Sequence, residues 1–578
     1  MPNAIHGAAV VTTLFHKKHK QTNFPIMNNP FFQKIRKKAI VATFAIIAIL
    51  SLSFIHNDFE IAKNIDIFSS VIKELHLNYV DPINPGDLVK KAIDSMLESL
   101  DPYTVYYPES DIEEFRMLTT GQYGGIGAVI QQRDDYVVIA EPYEGFPAQK
   151  SGLKPGDKIL EINGKSAKGR TTEEVSTILK GQPGTSIKLK ILPFGEKQAV
   201  EKSIVREEIK MPNIPYAGKI DDKIGYVRLQ QFTENAAKEV KEEFMKLKEQ
   251  NIEGFVLDLR GNGGGLLHEA VLIMNIFVDR DNLIVYTKGK TAERNAQYKT
   301  MFPVYDNKMP VVVLIDEGSA SASEIVAGAF QDLDRGVVIG ERTFGKGLVQ
   351  NVVPLPYNTR LKVTISKYYI PSGRCIQAID YSGNDRRRLS DSTYVSFKTK
   401  NGRTVFDKGG IEPDIKVSNP SFSKIAASLY AKNIIFDFVN EFQRKNQSIA
   451  KPAEFSISET LFKEFVDYIK DKDYDYETET EMALRNLKRT AEKEKYIDAV
   501  QSKIAELESK IKHNKEEDIF TFKSEIIELL QAEIVSRYYY RKGQIEVMLK
   551  TDTDVKKAIE ILKNNEQYNA LLKGENRD

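Results

Sequence analysis

Between Glu208 and Val417, short and wholly apolar runs alternate with amphipathic ones, and no other feature narrows the fold as much. "GFVLDL", "VVVLID" and "GVVIG" are too short for helices and show no polar face, so they read as strands covered on both sides. Between them, "NAAKEVKEEFMKLKEQ" sets Ala236, Val240, Phe244 and Leu247 on one helical face. "LLHEAVLIMNIFV" and "ASEIVAGAFQ" read as further helices, and "KIGYVRLQQF" as a further strand. That alternation predicts an α/β core over residues 208–418 with largely parallel strands.

The chain has 578 residues, more than one core can use, so the flanks must hold other domains. Residues 121–207 shorten the periodicity to strand-like runs such as "YVVIAEPY" and "SIKLKILP", with "TTEEVSTILKG" as one helix, and predict a compact β domain. Residues 59–120 repeat apolar positions at three and four, as in "IDIFSSVIKELHLNYV", and predict a helical segment for packing or dimerisation, so a homodimer is among the expected partners. Residues 419–578 are helical and charged, with Ile497, Val500, Ile504, Leu507 and Ile511 as a heptad-like seam of an accessory domain. Residues 1–58 form a leader in which the basic flank Lys34–Lys38 precedes the apolar run 39–55. By the positive-inside rule that order makes the run an inner-membrane anchor with the remaining chain outside the cytoplasm, in a periplasm. Ser51 and Ser53 leave a cleaved signal peptide open, and Met27 is an alternative start.

Charge is balanced, 82 basic against 81 acidic residues, which gives no footprint for nucleic acid. Cys375 stands alone, so neither a disulfide framework nor a thiolate metal site is expected, and no metal or cofactor is called for.

Three stretches could carry chemistry. In "DEGSASASEI" three serines alternate after a buried strand, and Ser321 falls at the start of a helix, where unpaired N–H groups favour developing negative charge. A plain helix cap, with Ser323 and Glu324, would also account for the segment. A nucleophilic serine needs a base. Of seven histidines only His268 falls in the α/β core, and a surface or satisfied histidine is its ordinary reading. Lysine is the other choice, and Lys346 in "TFGKGLVQ" follows a strand, with Gln350 four residues on and so able to share a face with it. Its amine would have to fall from about 10.4 toward 7–8, which burial can achieve. The third stretch, "FVLDLRGNGGGLLHEA", runs a strand into Gly261–Gly265, where bare amides can cradle an anion or merely turn the chain. "GERTFGKG" misses the P-loop only in its last position, but the β-like "LVQNVVPLP" after it cannot open the helix a P-loop requires. "SGLK" at Ser151–Lys154 has S-x-x-K spacing but lies in a turn of the β domain, so chance explains it.

Taken together, "GSASASEIVAGAFQD", "ERTFGKGLVQ", "VLDLRGNGGG" and "YYIPSGRCIQ" resemble the C-terminal processing, or tail-specific, proteases, which are Ser–Lys peptidases. "GGIGAVI", "GLKPGDKILEINGK" and "LKGQPGTSIKLKI" resemble the PDZ domain that family carries. The resemblance implies a crotonase/ClpP-like core with an inserted PDZ domain, an N-terminal helical region and a C-terminal helical domain. It implies Ser321 as nucleophile, Lys346 as general base, Gln350 as its orienter, and the amides of Ala322 and Gly264 as oxyanion hole. Gly263 stands where Pro or Ser is common in the family, and Lys180 where Arg is. Amides around Gly124, Gly125, Ile126 and Gly127 would hold a substrate's terminal carboxylate while its tail adds to the sheet edge. The expected activity is endoproteolysis of proteins recognised by their C-termini. A PDZ scaffold without turnover is the alternative.

Overall fold

The buried runs form a central six-stranded sheet in the computed structural model, which describes residues 59–111, 116–117, 120–381, 387–388, 394–407, 409–418, 422–511 and 515–575. The order is β1 (Tyr216–Asp221), β2 (Ile224–Arg228), β3 (Gly254–Asp258), β4 (Val311–Ile315), β5 (Val337–Gly340) and β8 (Ile415–Lys416). Only β1 and β2 run antiparallel; the other neighbours are parallel.

Alternate side chains of a strand point to opposite faces, and here both faces are buried. Phe255, Leu257, Val311, Val313 and Ile315 pack with α1 (Ala236–Glu249), α2 (Leu267–Phe277) and α3 (Ala322–Asp332). Val256, Val312, Leu314, Val337 and Ile339 face the opposite way, against Val555, Ala558, Ile561, Leu562, Tyr568 and Leu571. Those partners belong to α5 (Thr553–Lys563) and α6 (Asn565–Lys573), the last helices of the chain. The accessory domain therefore supplies the second layer of the sheet that the apolar strands demand. On the first face Phe244, Phe255, Phe277 and Phe330 interlock, with ring centroids 4.8, 5.1 and 5.5 Å apart along Phe255–Phe244–Phe277–Phe330.

A second, antiparallel sheet holds β6 (Leu348–Pro354) and β7 (Arg360–Tyr369), with Val105–Tyr107, Leu283–Gly289 and Ala296–Lys299. The expectation of helix through residue 120 is corrected here: the helix Pro85–Glu98 stops, and Val105–Tyr107 pairs with Arg360–Lys362. Asp101 caps a turn through the N–H groups of Tyr103 (2.8 Å) and Thr104 (2.9 Å), and the β-branched and aromatic run after it prefers an extended chain.

Residues 59–93 form a separate unit, helical over 59–78, in which Ile61, Ile65 and Phe68 are exposed. The apolar run 39–55 lies outside the described residues, and among the described residues no helix is long and apolar enough to cross a membrane.

Strands Ala128–Arg133, Tyr136–Pro142, Lys158–Ile162, Ser186–Leu192 and Val200–Val205 build the β domain around Val137, Ile139, Ile159 and Ile187. Its helix Thr172–Leu179 starts at a capping box between Thr171 and Glu174. The C-terminal domain packs Lys424–Ala431, Ile434–Lys445, Glu459–Ile469 and α4 (Lys523–Met548) around Phe438, Phe465, Ile526 and Leu530. Of the heptad-like seam, Ile504 is buried and Leu507 is exposed. The β domain meets the helical domain through Arg133 and Asp437 (2.8 Å) and through Gln149, whose amide donates to the Tyr540 hydroxyl (2.5 Å).

Candidate active site

Strand β4 delivers the three serines, and the structure gives each a different task. The Ser319 hydroxyl lies 2.9 Å from the Leu259 carbonyl and accepts the Asp316 N–H at 3.0 Å. The Ser323 hydroxyl donates to the Asn262 carbonyl at 2.8 Å. These outer two stitch the end of β4 to the glycine-rich turn after β3. Ser321 lines a cleft of about 530 Å³ together with Ala322, Gly264, Lys346 and Gln350. It sits at φ 58°, ψ −113° as the residue that opens α3, a strained backbone for a non-glycine.

The glycine-rich turn is pressed against it. A Cβ on Gly264 would stand 2.7 Å from Ser321 Cβ and 2.8 Å from the Ala322 nitrogen, and the φ of +97° favours glycine in any case. Ala322, as the first residue of α3, has no intrahelical acceptor for its amide. Gly264's amide is engaged in this conformation, donating to Asn262 Oδ1 at 2.9 Å.

Lys346 enters from the other side, two residues before β6. Burial, with Lys362 nearby, lowers its amine to about 8, while Glu324 and Asp101 pull the other way. The ammonium lies 4.8 Å from the centroid of the Tyr103 ring. No hydrogen bond joins Lys346 to the Ser321 hydroxyl; the lysine's backbone N–H goes to Glu324 instead. The Gln350 amide nitrogen donates to Thr364 Oγ1 at 3.2 Å, and its oxygen accepts no hydrogen bond from the Lys346 amine. Thr364 in turn receives the Thr104 hydroxyl (3.3 Å), which also reaches Asp101 Oδ2 (3.0 Å). His268 is out of the question as a partner of Ser321: its side chain is 61% exposed, beside Glu269, and does not line the cleft.

The residue that sequence reasoning undervalued is Glu324. Its carboxylate is fully buried, and five donors converge on it. Oε2 accepts the backbone N–H of Ser321 (2.8 Å) and of Lys346 (3.0 Å), and the Tyr368 hydroxyl (3.3 Å). Oε1 accepts the Thr343 hydroxyl and the Gly345 N–H, each at 2.7 Å. Burial pushes this carboxyl upward, and the donors oppose that push. Its position three residues after Ser321 fits a capping box, the only signal available locally. The reach to residues 343–346 and 368 belongs to the tertiary fold.

In the β domain, Gly124, Gly125, Ile126 and Gly127 are buried; the first two end the strand Gln122–Gly125, which pairs with Glu207–Lys210, and the other two link it to Ala128–Arg133. The Ile126 and Gly127 carbonyls accept N–H groups from Ala148 (2.7 Å) and Tyr143 (2.9 Å). A Cβ on Gly127, at φ +72°, would stand 2.6 Å from Phe146 Cβ.

Residues 223–384 match the model of peptidase family S41, residues 138–193 a PDZ domain, and residues 425–562 the "Probable PDZ-protease, C-terminal helical domain". A carboxy-terminal-processing protease of Bartonella bacilliformis is 36% identical over 328 residues, 56% of this chain and 75% of that protein. The chain belongs to peptidase family S41, the carboxy-terminal processing proteases. The carboxy-terminal processing protease CtpA of Bacillus subtilis is 30% identical over 390 residues, 66% of this chain and 82% of its relative. Among solved structures, the photosystem II D1 C-terminal processing protease is 28% identical, covers 60% of this chain and 86% of its own, and has a TM-score of 0.35. Serine-type peptidase chemistry and a PDZ domain thus share one chain.

Proposed function

We propose that this peptidase hydrolyses extracytoplasmic proteins recognised by their C-terminal tails, by a Ser–Lys mechanism. The observation that carries the reading is the common cleft of Ser321, Ala322, Gly264, Lys346 and Gln350, with the amine lowered to about 8. Neutral Lys346 removes the proton of the Ser321 hydroxyl as its oxygen attacks the scissile carbonyl. The oxyanion forms against the Ala322 amide, and Gly264 joins when its N–H exchanges Asn262 for the oxyanion. The Lys346 ammonium then protonates the leaving amine, and water releases the acyl group by the reverse sequence. Gln350 orients the amine by accepting one of its N–H groups on the amide oxygen, while the amide nitrogen keeps Thr364. On this reading the core is of crotonase/ClpP-like type, and the apolar run 39–55 holds the chain to the inner membrane with its catalytic domains in the periplasm.

The test is turnover of a C-terminally tailed reporter peptide by the purified full chain across pH. Only the neutral amine is competent, so kcat/KM rises with pH and levels off above the amine's value. With that value at about 8, the neutral fraction grows roughly tenfold from pH 7 to pH 9. His268→Ala leaves the profile within about twofold, as expected of an exposed side chain. A flat profile, or activity lost in His268→Ala, overturns the lysine base. No turnover at all returns the chain to a PDZ scaffold.

The PDZ arm is tested separately. Gly127→Ala should weaken binding of a free tail peptide by about tenfold, near 1.4 kcal/mol, while hydrolysis of a short untailed peptide stays unchanged. Equal loss of both would mean that the two sites are not separable.

A further inference from the structure

The turn that carries Gly264 is rich in glycine, and glycine loses the most freedom on ordering. Something must therefore hold both of its ends. On the α2 side the Leu266 N–H donates to the Phe232 carbonyl at 2.8 Å. On the β3 side stands Arg260, immediately before Gly261, with only 12% of its side chain exposed.

Its guanidinium is held from two directions. Asp258, two residues back, takes Nε at 3.0 Å and an Nη at 2.7 Å. The remaining bonds go to the C-terminal helical domain: Asp552 accepts at 3.0 and 2.7 Å, and Asp554 at 2.8 Å. Asp552 also caps α5 by accepting the Val555 N–H at 3.0 Å. Asp258 ends β3, is fully buried and accepts the Tyr226 hydroxyl at 2.6 Å, so it ties one side of the guanidinium to the sheet. The two remote carboxylates hold its other side, and bidentate geometry makes the hold directional.

As a mere staple between domains this cluster would be poorly chosen. Val555, Ala558, Ile561, Leu562, Tyr568 and Leu571 already bury the same helices against the sheet. Buried ion clusters add little net stability beyond such contacts, because desolvation opposes their attraction. What the cluster adds is the location of Arg260, and through it the start of a turn whose Gly264 touches Ser321 and Ala322.

We infer that Asp552 and Asp554 are positioning residues for the oxyanion turn, so that the C-terminal helical domain completes the catalytic geometry of the core. The inference rests on the Ser–Lys reading and extends it to a domain with no other task in the reaction.

The experiment uses the full chain carrying Asp552→Asn and Asp554→Asn together. Asparagine keeps the helix cap and removes the charge that holds Arg260. Turnover of the tailed reporter is measured beside the affinity of a peptide boronic acid, which forms a tetrahedral adduct on the serine. Active sites are counted by a fluorophosphonate. The expected result is that kcat and boronate affinity fall together by about 30-fold per active site, a fall typical of slight misplacement, while KM and tail-peptide binding stay within about twofold. Wild-type values for both, or a loss that only follows the number of titratable sites, would overturn the inference and leave a structural staple. If the double variant does not fold, Asp554→Asn alone is judged by the same pair of quantities. Wild type and Ser321→Ala run in the same assay: turnover that survives Ser321→Ala removes both readings, whereas wild-type values in the Asn variant remove only this one.

Discussion

Lys346→Met should lower kcat/KM by about 10⁴-fold and at the same time make the protein more stable at neutral pH. Methionine keeps the apolar stem of lysine as far as Cε, so what is lost is the amine and its place 4.8 Å from the Tyr103 ring centroid. The catalytic loss follows from removing the lowered amine from the cleft that Ser321 also lines. The stability gain follows from linkage. Burial holds the amine at about 8 in the folded chain against 10.5 in the unfolded one. Between those values the unfolded state binds the extra proton, so wild-type stability rises with pH across that window. Below about pH 8 the protonated amine is a standing cost of about 3 kcal/mol, an upper figure, which methionine removes. Melting curves of both proteins should therefore differ at pH 7 and converge above pH 10.5. A variant that is less stable than wild type at pH 7 and retains more than a tenth of its turnover would place Lys346 in a structural role.

That trade-off was partly visible in the sequence, and the boundary is instructive. The strands "GFVLDL", "VVVLID" and "GVVIG" became β3, β4 and β5 because short apolar runs admit no other solution when both faces are covered. What covers the second face could not be read: α5 and α6 lie hundreds of residues away, and their apolar stripe states a need for burial without an address. The same holds at the site. The strand ends and glycine-rich turn announced where Ser321, Lys346 and Gly264 would cluster, since loops at the carboxyl ends of parallel strands meet. The Arg260 clamp and the donors that gather on Glu324 join segments far apart in the chain, and no local period encodes such meetings. Local chemistry also misled in one place. Residues 59–78 and Pro85–Glu98 are helical as their spacing says, but the extended Val105–Tyr107 serves a sheet edge offered by β7, and tertiary pairing set the outcome there.

Glu324→Gln is expected to cost roughly 3–5 kcal/mol of stability and about 10²-fold or more in kcat. The substitution keeps the shape and exchanges one acceptor oxygen for a donor amide. Every group now on the carboxylate is a donor, so either orientation turns an NH₂ toward occupied N–H groups. If it faces the Oε2 position, the amides of Ser321 and Lys346 lose their common acceptor; if it faces Oε1, the Gly345 amide and the Thr343 hydroxyl do. Each buried donor left unmet costs about 1–3 kcal/mol. The kinetic loss has a separate cause, since this one carboxylate fixes the backbone of both the serine and the lysine. A purely structural role would predict fewer folded molecules with an unchanged pH profile. A role in the site predicts more: the Glu324 charge holds the Lys346 amine up, and without it the amine falls further below its present value. The rise of residual kcat/KM must then move to lower pH, even as its plateau drops. Measured per titrated active site, an unmoved profile with wild-type turnover would show that Glu324 only caps a helix.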